Sequence, residues 1–246
     1  SKAKALLQVH KPLDIYEVRS AQMRLKFEEL FFLQLLLVKQ KQIAQRKSRG
    51  HVFKVVGDLF NAFYNEHLPF ELTGAQKKVL KEIRGDLRSG IQMNRLLQGD
   101  VGSGKTLVAF FTLLMAIDNG FQTALMAPTE ILAKQHFQTI KEFVEKLPIE
   151  VSLLTGSTKV AERRIIHERL ENGALHLLIG THALLEDKVK FKNLGLSVID
   201  EQHRFGVAQR AKLWRKNKIP PHILVMTATP IPRTLAMTFY GDLDVS

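Results

Sequence analysis

The chain has 246 residues, of which 45% are hydrophobic and 24% charged, and these values exclude a wholly disordered, collagen-like or membrane-embedded protein. Lysine and arginine exceed the acidic residues by 12, a surplus that favours a polyanion as partner. Cysteine is absent, which excludes disulfides, thiol catalysis and cysteine-bound metals and agrees with a reducing compartment.

Residues 1–69 are predicted to form a basic helical connector. Residues 1–70 carry 12 lysines and arginines against 6 acids, half of the surplus in less than a third of the chain. No glycine or proline interrupts Glu17–Arg46, which predicts one long helix. The middle of this helix, Leu30–Val38, is nearly all apolar, so we expect it to be buried against the main domain or against a domain outside this chain. Lys39–Lys54 has six basic residues and no acid, as in a solvated helix end or a nucleic-acid contact.

From residue 70 the sequence alternates between short apolar runs and longer helical patterns. This texture predicts βαβ units and a mostly parallel central sheet flanked by helices. The predicted strands are Arg95–Leu97, Thr123–Ala127, Glu150–Leu154, Leu175–Ile179, Leu196–Ile199 and Ile223–Met226. The predicted helices are Lys105–Asn119, Glu130–Lys146, Lys159–Glu171 and Val207–Lys216. Residues 70–246 are therefore expected to form one α/β domain.

A glycine-rich segment follows the first predicted strand and matches the phosphate-loop pattern G-x-x-x-x-G-K-[ST] at every fixed position. It consists of Gly99, Asp100, Val101, Gly102, Ser103, Gly104, Lys105 and Thr106. Glycines allow a backbone to surround phosphate oxygens, and the following helix presents its positive N-terminal end to them. Lys105 is expected to neutralise phosphate charge and Thr106 to ligate Mg²⁺, so the segment predicts nucleotide binding.

Two acids end a later strand. Asp200 and Glu201 follow the apolar run Leu196–Ile199. Asp200 is expected to hold Mg²⁺ and Glu201 to polarise the attacking water, which would make the reaction hydrolysis of the γ-phosphate. The alternative is a pair of acids that merely ends a strand. His203, which by type would be an ordinary surface histidine, lies close enough to this pair to sense the nucleotide.

Two other segments have both a structural and a functional interpretation. The threonine hydroxyls of Thr227–Arg233 could bridge the acidic pair to a moving segment, although an ordinary strand-to-loop transition also explains this sequence. Thr73 and Gln76 fit a capping box at the start of a helix. Gln76 could instead hydrogen-bond an adenine base.

In this order the motifs resemble the first motor domain of superfamily-two helicases and translocases, and most closely that of the RecG family of bacterial branch-migration DNA helicases. The segments that carry the resemblance are Leu72–Gln76, Asn94–Thr106, Ala127–Ala133, Leu154–Ser157, Gly180–Leu184, Asp200–Gly206 and Thr227–Arg233. They cover residues 70–246 densely, and a weaker likeness extends to Pro12–Asp14. The resemblance implies a RecA-like P-loop motor domain that binds ATP and Mg²⁺, preceded by a long-helix connector.

The resemblance also implies a role for particular residues. Lys105, Asp200 and Glu201 would be catalytic, with Thr106 and Asp200 as magnesium ligands and Gln76 at the adenine. The implied coupling residues are His203, Thr227, Thr229 and Arg233. The implied contacts to the DNA backbone are Pro128, Thr129, Gly156, Thr181 and His182. Because contacts to phosphate carry no sequence information, DNA binding is expected to be independent of sequence.

For a whole protein the resemblance implies ATP-driven translocation on duplex DNA and remodelling of forks and Holliday junctions in repair and recombination. It further implies a monomer in the bacterial cytoplasm, with a wedge domain and a second motor domain in the same chain. Arginines of the second domain would complete the ATP site, so we expect these 246 residues alone to hydrolyse ATP weakly.

Two alternatives remain open at this point. The translocase module of a transcription-repair coupling factor has similar motifs, but Ser103 and Gln202 favour the RecG family. A P-loop nucleotide switch that does not move is compatible with the alternating strands and the phosphate loop. Such a switch has no need of the segments around Asp200 and Thr227–Arg233.

Overall fold

Seven strands form a parallel central sheet in the computed structural model, which describes residues 1–47, 49–68, 70–201, 219–229 and 244–245. The strands are β1 (Asn94–Gln98), β2 (Gln122–Met126), β3 (Val151–Leu154), β4 (Leu177–Gly180), β5 (Leu194–Asp200), β6 (His222–Thr227) and β7 (Asp244–Val245). Their order across the sheet is β3-β4-β2-β5-β6-β1-β7, and every pair is parallel. All six predicted strands are confirmed, and β7 is an additional short one.

Helices precede the sheet and connect its strands. They are α1 (Lys2–His10), α2 (Ile15–Lys47), α3 (Asp58–Ala62), α4 (Gly74–Arg88), α5 (Lys105–Asp118), α6 (Glu130–Val144) and α7 (Val160–Asn172). A π-helical turn, Phe63–His67, continues α3, and a short 3₁₀ turn, His182–Leu185, follows β4. The predicted long N-terminal helix and three of the predicted connecting helices are confirmed. The fourth, Val207–Lys216, lies outside the described residues.

Helix α5 is buried along its length, because its sequence is apolar on every side. All side chains from Leu107 to Ile117 are buried, including the hydroxyl of Thr112, which donates to the carbonyl of Val108. The strands beside it are equally apolar, and every residue of β5 is buried. Near-continuous apolar strands are typical of a parallel sheet covered on both faces. This core fixes the first turn of α5, where the phosphate loop ends.

The segment from residue 49 to residue 67 packs into this same core, although the sequence analysis assigns it to the connector. Phe53 and Phe63 are buried, and the ring of Phe63 lies 4.8 Å from that of Phe110. At the end of α5, the carboxylate of Asp118 accepts hydrogen bonds from the backbone N–H groups of Gly57, Leu59 and Phe60 at 3.0–3.1 Å. These bonds cap α3 and join it to the sheet domain.

Helix α2 exposes the apolar residues in its middle. Phe27, Leu30 and Phe32 are 63%, 60% and 57% exposed, and α2 packs against α1. The prediction that this stretch is buried against the main domain is therefore wrong for the described residues. Burial against a domain outside this chain stays a prediction. None of the described helices is both long enough and apolar enough to cross a bilayer.

A buried histidine joins β6 to the segments beside it. His222 accepts a hydrogen bond at Nδ1 from the backbone N–H of Met93 (2.9 Å), while Nε2 bonds to the carbonyl of His51 (2.8 Å). Burial lowers the pKa of His222 to about 4 from its ordinary value of 6.5. Burial also lowers the pKa of His51. The folded state therefore keeps the His222 imidazole neutral down to about pH 4, whereas the unfolded chain protonates it below about pH 6.5.

We predict that the free energy of unfolding falls as the solution is acidified from about pH 7.5 to about pH 5. The reason is that His222 becomes protonated in the unfolded state but stays neutral while it is buried in the folded state. The shift of this one histidine corresponds to about 2 kcal/mol over that interval. Urea unfolding at the two pH values measures it. The variant His222→Asn keeps an acceptor for Met93 and should show a smaller pH dependence, whereas the exposed-site control His10→Asn should match the wild type. Equal pH dependence in both variants would contradict the prediction.

Candidate active site

The predicted phosphate loop lies between β1 and α5. Gly102 and Gly104 have φ angles of 80° and 82°, in the left-handed region that glycine adopts without strain. Gly104 is the N-cap of α5 and has no side chain to cap the helix. The first N–H groups of α5 and its positive end therefore face the loop, as in helix N-termini that bind anions.

At two glycines of the loop, a larger residue would have to displace a neighbouring side chain. A Cβ atom at Gly104 would lie 2.4 Å from Nε2 of Gln76, and one at Gly99 would lie 2.6 Å from the hydroxyl of Ser103. The ammonium of Lys105 donates to the carbonyls of Gly99 and Asp100, both at 2.7 Å. A lysine whose ammonium N–H groups donate to loop carbonyls can instead donate them to phosphate oxygens. The donor set therefore fits a nucleotide phosphate.

Gln76 connects the start of α4 to the phosphate loop. The capping box is present: the Thr73 hydroxyl accepts from the Gln76 N–H, and the Gln76 Oε1 accepts from the Thr73 N–H. Gln76 Nε2 donates to the carbonyl of Ser103 at 3.0 Å. Its predicted contact with adenine stays a prediction. A cavity of about 460 Å³, lined in part by Tyr64, Phe70 and Lys77, opens beside this helix start.

The acidic pair lies at the end of β5, and β6 lies between β5 and β1 in the sheet. Asp200 is 9% exposed and lies beside Met226 of β6 in the sheet register. Its Oδ2 atom is 2.7 Å from Nε2 of His136 on α6. A carboxylate oxygen can only accept, so the imidazole N–H donates.

Glu201 is held by the residues at the end of β6. Its φ angle is 49°, a left-handed conformation that costs a non-glycine residue about 1–3 kcal/mol. The carboxylate accepts from the Thr227 hydroxyl at 3.1 Å and from the Ala228 N–H at 2.9 Å. The hydroxyls of Thr227 and Thr229 are 2.8 Å apart. Glu201 is thus hydrogen-bonded to the predicted coupling segment, directly at Thr227 and Ala228 and through Thr227 to Thr229. The predicted residues His203 and Arg233 lie outside the described residues.

The predicted DNA contacts follow the carboxyl ends of β2, β3 and β4, on the sheet edge that also carries the phosphate loop. Thr129 is the N-cap of α6, and its hydroxyl accepts from the Leu132 N–H at 3.3 Å. The loop around Gly156 is bound to α6 by a hydrogen bond from the Ser157 hydroxyl to the Glu130 carboxylate. The same edge includes Pro128 after β2, and Thr181 and His182 after β4.

Comparison with known proteins identifies the family. The model of the DEAD/DEAH box helicase family matches residues 73–238. The chain belongs to this helicase family. The ATP-dependent DNA helicase RecG of Synechocystis is 52% identical over 242 residues, covering 98% of this chain and 29% of that protein. RecG of Streptococcus pneumoniae is 48% identical over 246 residues, covering 100% of this chain and 36% of that protein.

A solved structure of RecG bound to a three-way DNA junction superposes on this helicase chain with a TM-score of 0.83. It is 47% identical and covers 98% of this chain and 32% of that one. The predicted resemblance to the RecG family and the predicted RecA-like fold class are therefore confirmed. The chain spans about a third of the length of these relatives. The helicase MrfA, 20% identical with a TM-score of 0.61, shares the fold.

Two residues of this helicase chain that sequence reasoning missed hold the site together. The first is His136, which interrupts the buried stripe of α6 between Ala133 and Ile140, and a polar residue on such a stripe is a signal that could have revealed it. The second is Arg163 on α7. Its guanidinium donates to the carbonyls of Thr155 (2.6 Å) and Thr158 (3.1 Å) and pairs with Glu186. These contacts fix the loop around Gly156 to α7.

We predict that Gly104→Ala destabilises the chain more than Gly120→Ala. Both glycines have φ angles near 80°, so both substitutions carry the same left-handed penalty of about 1 kcal/mol. A Cβ at Gly120 meets no atom within 4 Å, whereas one at Gly104 displaces the amide of Gln76 from Ser103. The lost hydrogen bond should cost about 1 kcal/mol more. Urea unfolding of both variants tests this, and equal losses would contradict the described packing.

Proposed function

We propose that this chain is the ATP-binding first motor domain of a RecG-like DNA helicase. It would couple ATP hydrolysis to translocation on duplex DNA and to the remodelling of forks and Holliday junctions. One observation carries the proposal: the phosphate loop, the acidic pair and the predicted DNA loops all follow carboxyl ends of parallel strands and therefore share one edge of the sheet. The similarity to RecG along nearly the whole chain supports it.

The proposed reaction follows from the side chains at this edge. Lys105 leaves the carbonyls of Gly99 and Asp100 and neutralises the charge of the β- and γ-phosphates. Thr106 and Asp200 would hold Mg²⁺, and the bound ion would supply further positive charge at the phosphate oxygens. Glu201 accepts a hydrogen bond from the attacking water and orients it. Its fixed backbone and its bonds to Thr227 and Ala228 limit the directions in which the carboxylate can point.

The proposed DNA contacts are Pro128, Thr129, Gly156, Thr181 and His182. They come from backbone N–H groups and short polar side chains at strand ends, which bind phosphate without reading bases. These contacts predict binding that is independent of sequence, and the similarity to RecG bound to a three-way junction supports branched or forked duplex DNA as the partner. The remaining proposals concern the whole protein. We propose that it is a monomer in the bacterial cytoplasm and that a wedge domain and a second motor domain complete the helicase.

Packing adds a proposal on domain organisation. Phe53 and Phe63 lie in the core of the sheet domain, and the N–H groups of Gly57 and Leu59 donate hydrogen bonds to Asp118. We therefore propose that the motor domain begins near residue 49 and that the connector consists of α1 and α2.

We predict that Lys105→Ala binds Mg·ADP at least about 10-fold more weakly than the wild type, because a charged hydrogen bond to phosphate contributes about 1.5–3 kcal/mol. Glu201→Gln should keep the wild-type affinity, since its role is with water rather than with the nucleotide. Isothermal titration calorimetry of this chain measures both, with the exposed-site variant Lys4→Ala as control. An unchanged affinity in Lys105→Ala would contradict the assignment of the phosphate loop.

A further inference from the structure

The hydrogen bond between His136 and Asp200 joins two parts of the site that the reaction must coordinate. His136 lies in the second turn of α6, and Asp200 ends β5. The Nε2–Oδ2 distance is 2.7 Å, and the two side chains are 12% and 13% exposed. Because a buried carboxylate is costly without a donor, this bond is the means by which Asp200 occupies its position.

The bond also determines which oxygen of Asp200 is available. His136 engages Oδ2, so Oδ1 is the oxygen that can face another partner. A hydrogen bond to one oxygen fixes the orientation of a carboxylate and therefore the direction in which its other oxygen points. In metal sites such an outer hydrogen bond orients the ligand, and its loss typically lowers metal affinity about 10–100-fold.

The helix that carries His136 is connected to the predicted DNA edge at its N-terminus. Thr129 caps α6, and Glu130 in its first turn accepts from the Ser157 hydroxyl of the loop after β3. Lys134 pairs with Glu130 at 2.9 Å, one turn along the same helix. His136 is six positions after Glu130, about 9 Å along a helix axis. A helix this short moves as a rigid rod, so a displacement of its N-terminus also displaces the imidazole.

We propose that His136 is a positioning residue that orients the Asp200 carboxylate toward the metal-bound nucleotide. Through α6, it also couples the orientation of this carboxylate to the DNA loops at Thr129 and Ser157. This inference rests on the proposed function, because it presumes that nucleotide and DNA bind at this edge. It adds a direct mechanical connection from the DNA side to the acidic pair, separate from the connection of Glu201 to Thr227. Nothing in the apolar stripe of α6 otherwise requires a histidine at position 136.

Two amide variants test the proposal with little change in polarity. His136→Gln carries an N–H at about the reach of Nε2 and should keep the bond to Asp200. His136→Asn ends at about the position of Nδ1 and should lose it. Gln138→Ala is the control, because Gln138 lies on the exposed face of the same helix and bonds to Glu142. Thermal melts show whether each variant is folded.

The readout is the affinity for ADP with and without Mg²⁺, measured by calorimetry on this chain. Without Mg²⁺ all four proteins should bind ADP alike. With Mg²⁺, His136→Asn should bind about 10-fold more weakly than the wild type, whereas His136→Gln and Gln138→Ala should match it. The proposal is overturned if the asparagine variant keeps the full gain from Mg²⁺, or if the glutamine variant loses it.

A second readout tests the link to DNA in a full-length protein that carries this sequence. Junction DNA should change the Mg·ADP affinity of the wild type and of His136→Gln by the same factor, and that of His136→Asn by a smaller one. Equal factors in all three would overturn the link. A wild-type chain that binds no nucleotide would refute the proposed function itself, whereas normal wild-type binding with an indifferent asparagine variant refutes this inference alone.

Discussion

The site depends on one constraint: two carboxylates at the end of a buried strand must each find a hydrogen-bond donor. Asp200 is bonded to His136 of α6, and Glu201 to Thr227 at the end of β6 and to Ala228 after it. Because unpaired buried carboxylates are costly, the donors and the acids are stable only together. The positions of α6 and β6 relative to β5 therefore set the geometry of the acidic pair, and a movement of either element changes it.

Parallel topology explains why so many functional segments meet at this edge. Every strand of the sheet runs in the same direction, so the loops after β1, β2, β3, β4, β5 and β6 emerge on the same side. The loop after β1 ends at the N-terminus of α5, and the loop after β2 ends at that of α6. Gln76 adds a contact from α4 to the carbonyl of Ser103. A nucleotide at the phosphate loop and a DNA strand at the neighbouring loops would thus act on one connected set of hydrogen bonds.

The sequence was sufficient for the strands, the phosphate loop and the position of the acidic pair, because these follow from local apolar runs and fixed spacing. It was not sufficient for His136, since 64 residues separate it from Asp200 and only the fold brings them together. Phe53 and Phe63 were missed as core residues because they form no periodic pattern with their neighbours. The apolar middle of α2 was expected to be buried against the main domain or against a domain outside this chain, because hydrophobicity alone does not say which partner covers a helix.

The most direct test of the account is single-turnover ATP hydrolysis by Thr227→Val and Thr227→Ser in a full-length protein. Valine has the shape of threonine without the hydroxyl that donates to Glu201, whereas serine keeps it. We expect both variants to bind Mg·ATP normally. The valine variant should hydrolyse ATP about 10-fold more slowly, which corresponds to about 1.4 kcal/mol in the activation barrier, whereas the serine variant should stay near the wild-type rate. Wild-type hydrolysis in the valine variant would contradict the claim that partner elements hold the acidic pair in its working geometry.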